Sequence, residues 1–206
     1  MQQYKTIKNN GFYEFCEKRS KFICYSFPAG SEHQAKEHIA QIETRHHDAR
    51  HNVYAYVIKE NGLCRRSDAG EPQGTAGDPV LSTIKSMEIM DALVVISRYF
   101  GGILLGAGGL KRAYSHGAKS ALLAGNIITM TSCTEVTIQI PYSDYGKIEN
   151  LISNSGGKIN KAEYGDNINI NCYLKKENFD LAHKELVNLL KGAGSVKILG
   201  ETYQNI

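Results

Sequence analysis

Thr134-Glu135-Val136-Thr137-Ile138-Gln139-Ile140-Pro141 alternates polar and apolar residues with Val136, Ile138 and Ile140 in step. A period of two over eight residues predicts a half-buried strand. Reading outward toward the carboxy terminus, Ser143-Asp144 is positioned to cap a helix from Tyr145 to about Asn154, with Ile148, Leu151 and Ile152 on one face. Gly156-Gly157 ends it, and Lys158 to Tyr164 reads as a second strand. Gly165-Asp166 makes a tight turn into Asn167–Leu174, which alternates through Ile168, Ile170 and Cys172. Glu177 to Lys191 carries Phe179, Leu181, Ala182, Leu186, Leu189 and Leu190 at helical spacing, and Ser195 to Leu199 supplies a last strand. The order βαββαβ predicts a ferredoxin-like domain over residues 134–206, with both helices on one face of an antiparallel sheet.

Outward in the other direction, the composition changes near Thr131. A short linker is expected at Thr131 to Cys133, with residues 1–130 as a separate amino-terminal domain. Within it, Ser20–Phe27 and Asn52–Lys59 alternate as strands, and Ser31-Glu32 starts a helix with no glycine or proline before His46. Asn61-Gly62 is a turn signal. Pro79 suits the first position of a helix whose stripe continues through Val80, Leu81, Ile84 and Met87. Ala92 to Ser97 is short, β-branched and apolar, as a buried strand is, and a further helix is expected from about Gly109 to Leu123. The fold class is therefore α+β in two domains.

Hydrophobic residues make up 42% of the 206, enough for a packed core, and no apolar run approaches the length of a membrane span. The polar start Met1-Gln2-Gln3-Tyr4-Lys5 does not predict a signal peptide. The five cysteines contain no C-x-x-C pair and are odd in number, so neither a disulfide framework nor a zinc site is expected, and the cytoplasm is the expected compartment. Charge is uneven: residues 1–130 hold 16 Lys and Arg against 12 Asp and Glu, whereas residues 131–206 hold 8 against 9. Six of the seven histidines also lie in the first part.

Half of the 20 glycines lie from Gly62 to Gly117, and eight of these fall in two segments. The first is Ser67-Asp68-Ala69-Gly70-Glu71-Pro72-Gln73-Gly74-Thr75-Ala76-Gly77-Asp78-Pro79. The second is Arg98-Tyr99-Phe100-Gly101-Gly102-Ile103-Leu104-Leu105-Gly106-Ala107-Gly108-Gly109-Leu110. Glycine costs conformational entropy, so clustering implies positive φ, close packing or amides turned toward an anion. Gly101 to Lys111 misses the Walker pattern, because Ala107-Gly108 follows Gly106, and it misses G-x-G-x-x-G, because Lys111 stands at the last glycine. The order strand, glycine loop, helix still places free N–H groups beside cations. Arg65, Arg66, Arg98, Lys111 and Arg112 are the candidate phosphate contacts, with Gly101, Gly102, Gly106, Gly108 and Gly109 letting the backbone approach. The alternative is that these glycines only allow the helix to pack against the sheet.

Asp68, Glu71 and Asp78 are loop acids open to acid–base work, to Mg²⁺ or to turn chemistry. No metal site, cofactor or catalytic residue is assigned. His46-His47-Asp48-Ala49-Arg50-His51 lacks the further partners that zinc needs, and a Cys64–His51 pair has no local signature. Tyr54, Tyr56, Tyr99 and Phe100 are available either to the core or to stack on bases.

Asp48-Ala49-Arg50-His51, Ser67 to Gly77, and Arg98-Tyr99-Phe100-Gly101-Gly102-Ile103-Leu104-Leu105-Gly106 resemble the signature of the IMPACT (YigZ) family in its bacterial two-domain form. Ala69 stands where the family often has a second acid. The resemblance implies an amino-terminal α/β domain similar to domain four of elongation factor G and to the GHMP kinases. It also implies a carboxy-terminal domain similar to domain five of that factor. Eukaryotic relatives regulate translation by competing for an activator of a starvation-responsive kinase, through a partner-binding domain not expected in these residues. Fold kinship alone assigns no activity; the function expected is that of a non-enzymatic cytosolic protein that binds RNA or the ribosome and regulates translation, with a translation-associated protein as a further partner and no membrane partner. The alternatives are a small-molecule enzyme resembling the GHMP kinases and a protein-interaction module.

Overall fold

The computed structural model describes all of residues 1–206. In chain order the elements are β1 (Gln3–Ile7), β2 (Gly11–Glu17), β3 (Ser20–Pro28), α1 (Glu32–Arg45), β4 (His51–Ile58), β5 (Leu63–Ser67), α2 (Gly77–Ser86), β6 (Ala92–Tyr99) and α3 (Gly106–Ala124). There follow β7 (Ile127–Ile140), α4 (Tyr145–Asn154), β8 (Lys158–Tyr164), β9 (Ile168–Lys175), α5 (Phe179–Leu190) and β10 (Ser195–Gln204). The chain divides into two compact units, Tyr4–Ile128 and Thr129–Ile206, the latter joined by Met1–Gln3.

The first unit is built on a five-stranded sheet in the order β2-β3-β6-β4-β5. Every pairing is antiparallel. Strands β3 and β4 point the same way, joined by the α1 crossover, and β6 lies between them antiparallel to both. The unit is therefore α+β rather than a parallel α/β layer. Strand β6 has helices over both faces, which explains its unbroken apolar run. Leu93 and Val95 pack with Ala35, Ile39 and Ile42 of α1. Val94 and Ile96 pack with Val80 and Ile84 of α2 and with Leu110, Tyr114 and Ala118 of α3. Ser31 caps α1, its side chain accepting from Gln34 N.

The second unit has the order β10-β7-β9-β8, all antiparallel. Val136, Ile138 and Ile140, the residues that set the alternation, are buried against Ile148 and Ile152 of α4 and Ala182, Leu186 and Leu190 of α5. The βαββαβ order is present with bounds within a few residues of those expected.

Several boundaries differ. The expected linker Thr131–Cys133 lies inside β7, which starts at Ile127 and pairs there with the end of β10. Strand β10 runs on to Gln204 because Gly200 sits at a register shift after Ile198 and lets the pairing resume. Strands β1, β2 and β5 were not anticipated; β2 and β5 are sheet edges, where charges such as Glu14, Glu17, Arg65 and Arg66 dilute the alternation. Helix α3 begins at Gly106 rather than near Gly109, so Gly108 and Gly109 are helical.

Candidate phosphate-binding cleft

The two glycine segments meet. A cleft of about 470 Å³ is lined by Gly70, Glu71 and Pro72 from the first and by Arg98, Phe100, Leu104, Leu105, Gly106, Ala107 and Leu110 from the second. Arg50 and His51, from the turn into β4, complete it. The volume is within the range of small-ligand sites.

Asp68 holds the first segment in shape. Its Oδ2 accepts from Gly74 N (2.9 Å), and its Oδ1 accepts from Ala76 N (3.0 Å) and Gly77 N (2.8 Å), the amides that open α2. Burial works to raise this carboxyl, but the Gly74, Gly77 and Ala76 amides together hold it below its usual value. Arg66 pairs with Asp78, in the first turn of α2. Asp68 thus shapes the segment through three backbone amides, and Asp78 pairs with Arg66 just before it. No group of three or more His, Cys, Asp or Glu side chains is arranged to hold a metal ion.

Glu71 is buried at the base of the cleft. Its Oε1 accepts from Arg98 Nη1 (2.7 Å) and from the Tyr114 hydroxyl (2.7 Å). Burial, then the Glu71 charge, push the Tyr114 phenol up, so it remains a donor. Arg98 is only 4% exposed, and its Nη2 donates to Ser20 Oγ (3.2 Å). Its Nε has no acceptor. The guanidinium lies 5.6 Å from the ring centres of both Phe22 and Phe100, a cation–π arrangement that offsets part of that loss. Arg98 is thus committed to Glu71 and the aromatic rings rather than free for a ligand.

The second segment opens α3. Gly101 is obligatory there, since a Cβ would come within 2.0 Å of the Arg19 carbonyl. Gly106 enters the helix at φ +71°, a conformation costly for any residue with a side chain. Here the packing role and the ligand role divide: Gly101 is needed for close approach, whereas Gly102 and Gly106 face open space. The residue before α3 is Leu105, which gives no side-chain cap, and the first turn contains no acid. By contrast α1 has Ser31 and Glu32, and α2 has Asp68 and Asp78. The first amides of a helix have no intrahelical acceptor and carry partial positive charge, which makes the start of α3 at the cleft wall the candidate anion contact.

Of the other expected contacts, Lys111 and Arg112 are exposed on α3 but do not line this cleft; Arg112 lines a separate depression with Lys18 and His116. Arg65 is exposed on the edge strand β5. Arg50 is exposed, lines the cleft and forms no ion pair. Arg50 carries no compositional signal, and the string Asp48-Ala49-Arg50-His51 is the feature of the sequence that marks it. The Cys64–His51 pair is not formed: Cys64 Sγ donates to Gly62 O, and His51 Nδ1 donates to Ala69 O (2.8 Å). His46 lies between the hydroxyls of Tyr25 (2.8 Å) and Tyr99 (2.9 Å), a structural role. Among the aromatics, Tyr56 is buried, whereas Phe100 is 49% exposed at the cleft.

Comparison with known proteins bears on the same residues. The Impact N-terminal domain matches residues 18–122, which include every residue lining the cleft, and a domain of unknown function, DUF1949, matches residues 138–193. The chain is 33% identical over 198 residues to IMPACT family member YvyE of Bacillus subtilis, covering 96% of this chain and 91% of that one. It is 36% identical over 150 residues to IMPACT family member YigZ of Escherichia coli, covering 71% and 74%. Protein IMPACT of Xenopus laevis is 32% identical over 94 residues, 44% of this chain and 30% of its own length. A crystal structure described as that of an hypothetical protein superposes with a TM-score of 0.63 at 29% identity, covering 95% and 97%. No helix is long and apolar enough to cross a membrane. With the domain match spanning the cleft and full-length bacterial relatives beside it, the chain belongs to the IMPACT family.

Proposed function

We propose that this protein is a non-enzymatic regulator of translation that acts in the cytoplasm by binding RNA, the ribosome's included, at the cleft between its two glycine segments. The observation that carries this reading is the opening of α3: a 19-residue helix whose first turn has neither cap nor acid, beside the unpaired Arg50 and the exposed ring of Phe100. Amides and guanidinium suit one phosphate, and the ring suits an adjacent base. Lys111, Arg112 and Arg65 add positive surface along which a backbone can run. Membership of the IMPACT family supports a regulatory role. The likeness of the two units to domains four and five of elongation factor G, which the resemblance implies, favours the ribosome as the source of RNA. In the kinase-like alternative Asp68 is already engaged by three backbone amides, whereas Glu71 Oε2 accepts no hydrogen bond.

The test is titration of short single-stranded RNA at several salt concentrations. Arg50→Ala is expected to weaken all sequences alike and to reduce the slope of log affinity against log salt by about 0.7. Phe100→Ala is expected to cost about 1–3 kcal/mol of binding. Absence of binding at low salt, or affinity unchanged in both variants, would falsify the reading.

A further inference from the structure

Glu71 has one oxygen in use and one to spare. Oε1 takes both the Arg98 and the Tyr114 hydrogen bonds, whereas Oε2 takes none and faces His51 Nε2 across 3.8 Å. The His51 tautomer is fixed by its other nitrogen, since a carbonyl only accepts: Nδ1 carries the proton given to Ala69 O. In the neutral ring Nε2 is then also an acceptor. The two atoms face one another on the cleft wall, and both side chains are largely buried, at 3% and 13% exposure. A hydroxyl has one proton and two lone pairs, so one seated between these two donates to Oε2 and, where the imidazole carries its second proton, accepts from Nε2.

We propose that Glu71 Oε2 and His51 Nε2 form a recognition site for the ribose 2′-hydroxyl, so that the cleft selects RNA over DNA. The inference rests on the RNA-binding reading above. A single nucleotide spans the chemistry that the cleft offers. Its phosphate meets the Gly106–Ala107 amides and Arg50, its base meets Phe100, and its sugar lies between them against Glu71 and His51. The 2′-hydroxyl donates to the carboxylate, a charge-assisted bond, and it accepts from His51 when the ring is protonated. An anion site alone would be indifferent to the sugar. A carboxylate at its base repels a second phosphate, so a hydroxyl is the group that fits.

The test compares three probes on the unaltered protein: a short single-stranded oligouridylate, the same sequence as DNA, and the same sequence with 2′-fluoro sugars, which keep the RNA-like pucker but cannot donate. RNA is expected to bind about tenfold more tightly than either of the others, the effect of one hydrogen bond to a charged group. In His51→Ala the ratio should fall toward one while RNA binding persists. Glu71→Gln, which keeps the side-chain volume, gives the same reading should His51→Ala fail to fold. Equal binding of RNA and 2′-fluoro RNA overturns the hydroxyl site and leaves RNA binding standing. A preference that survives intact in the folded variant also overturns it, because the hydroxyl is then read elsewhere. Failure of all three probes to bind removes both readings.

Discussion

Asp68 and Glu71 are three residues apart, yet their environments assign them different work. Asp68 meets only backbone amides and shapes the loop; Glu71 meets a guanidinium and a phenol and retains a free oxygen in the cleft. Asp68→Ala leaves three amides without their acceptor, so it should destabilise the amino-terminal unit by about 2 kcal/mol, as lost caps do. The pH dependence has a definite sign. Because the folded-state carboxyl is held below the ordinary 3.8, its stabilisation is fully present above that value and is lost as pH falls through the lowered one. Urea melts of the parent and of Asp68→Asn should therefore differ clearly at pH 7 and converge in strong acid. A difference that is constant across this range would place the effect elsewhere.

Among the elements, α3 connects packing to the site. Its middle lies so close to β3 that a Cβ on Gly117 would come within 2.6 Å of Cys24 Sγ, while its first turn opens the cleft. Gly117→Ala should cost about 1–3 kcal/mol by overpacking. Gly30→Ala, where the nearest atom to an added Cβ is Gln34 Oε1 at 3.8 Å, should stay within about 0.5 kcal/mol in the same urea titration. Equal effects at the two positions would contradict the close approach. The legibility of the elements follows the same physics. Val136, Ile138 and Ile140 announce β7 because one face of that strand is buried and the other is not. Strand β2 gives no clear alternation because Phe12, Tyr13, Phe15 and Cys16 are mixed with Glu14 and Glu17 on a sheet edge. The start of α3 was misplaced because Gly106, Gly108 and Gly109 read as loop, although the helix there is stabilised by packing of Leu110, Ala113 and Tyr114 rather than by propensity. The Arg98–Glu71 pair is not legible in the sequence, because residues 27 positions apart meet only once β6 packs beside the first glycine segment.

At the scale of the whole molecule, chemistry-bearing groups concentrate in one unit. The Tyr4–Ile128 unit holds both glycine segments, the cleft and six of the seven histidines, and the cleft residues all lie in the matched Impact N-terminal domain. The Thr129–Ile206 unit has a complete apolar core of its own around Ile138, Ile148, Ile170 and Leu186. The central claim is that the two segments make one phosphate-binding cleft for RNA. The most direct measurement of it is amide chemical-shift mapping of the full chain during titration with single-stranded RNA. The largest shifts are expected to fall together at Gly70, Glu71, Phe100, Gly106 and Ala107, and to vanish in Arg50→Ala at moderate salt. Shifts confined to residues 129–206, or spread over the basic surface with those five amides unmoved, would contradict it.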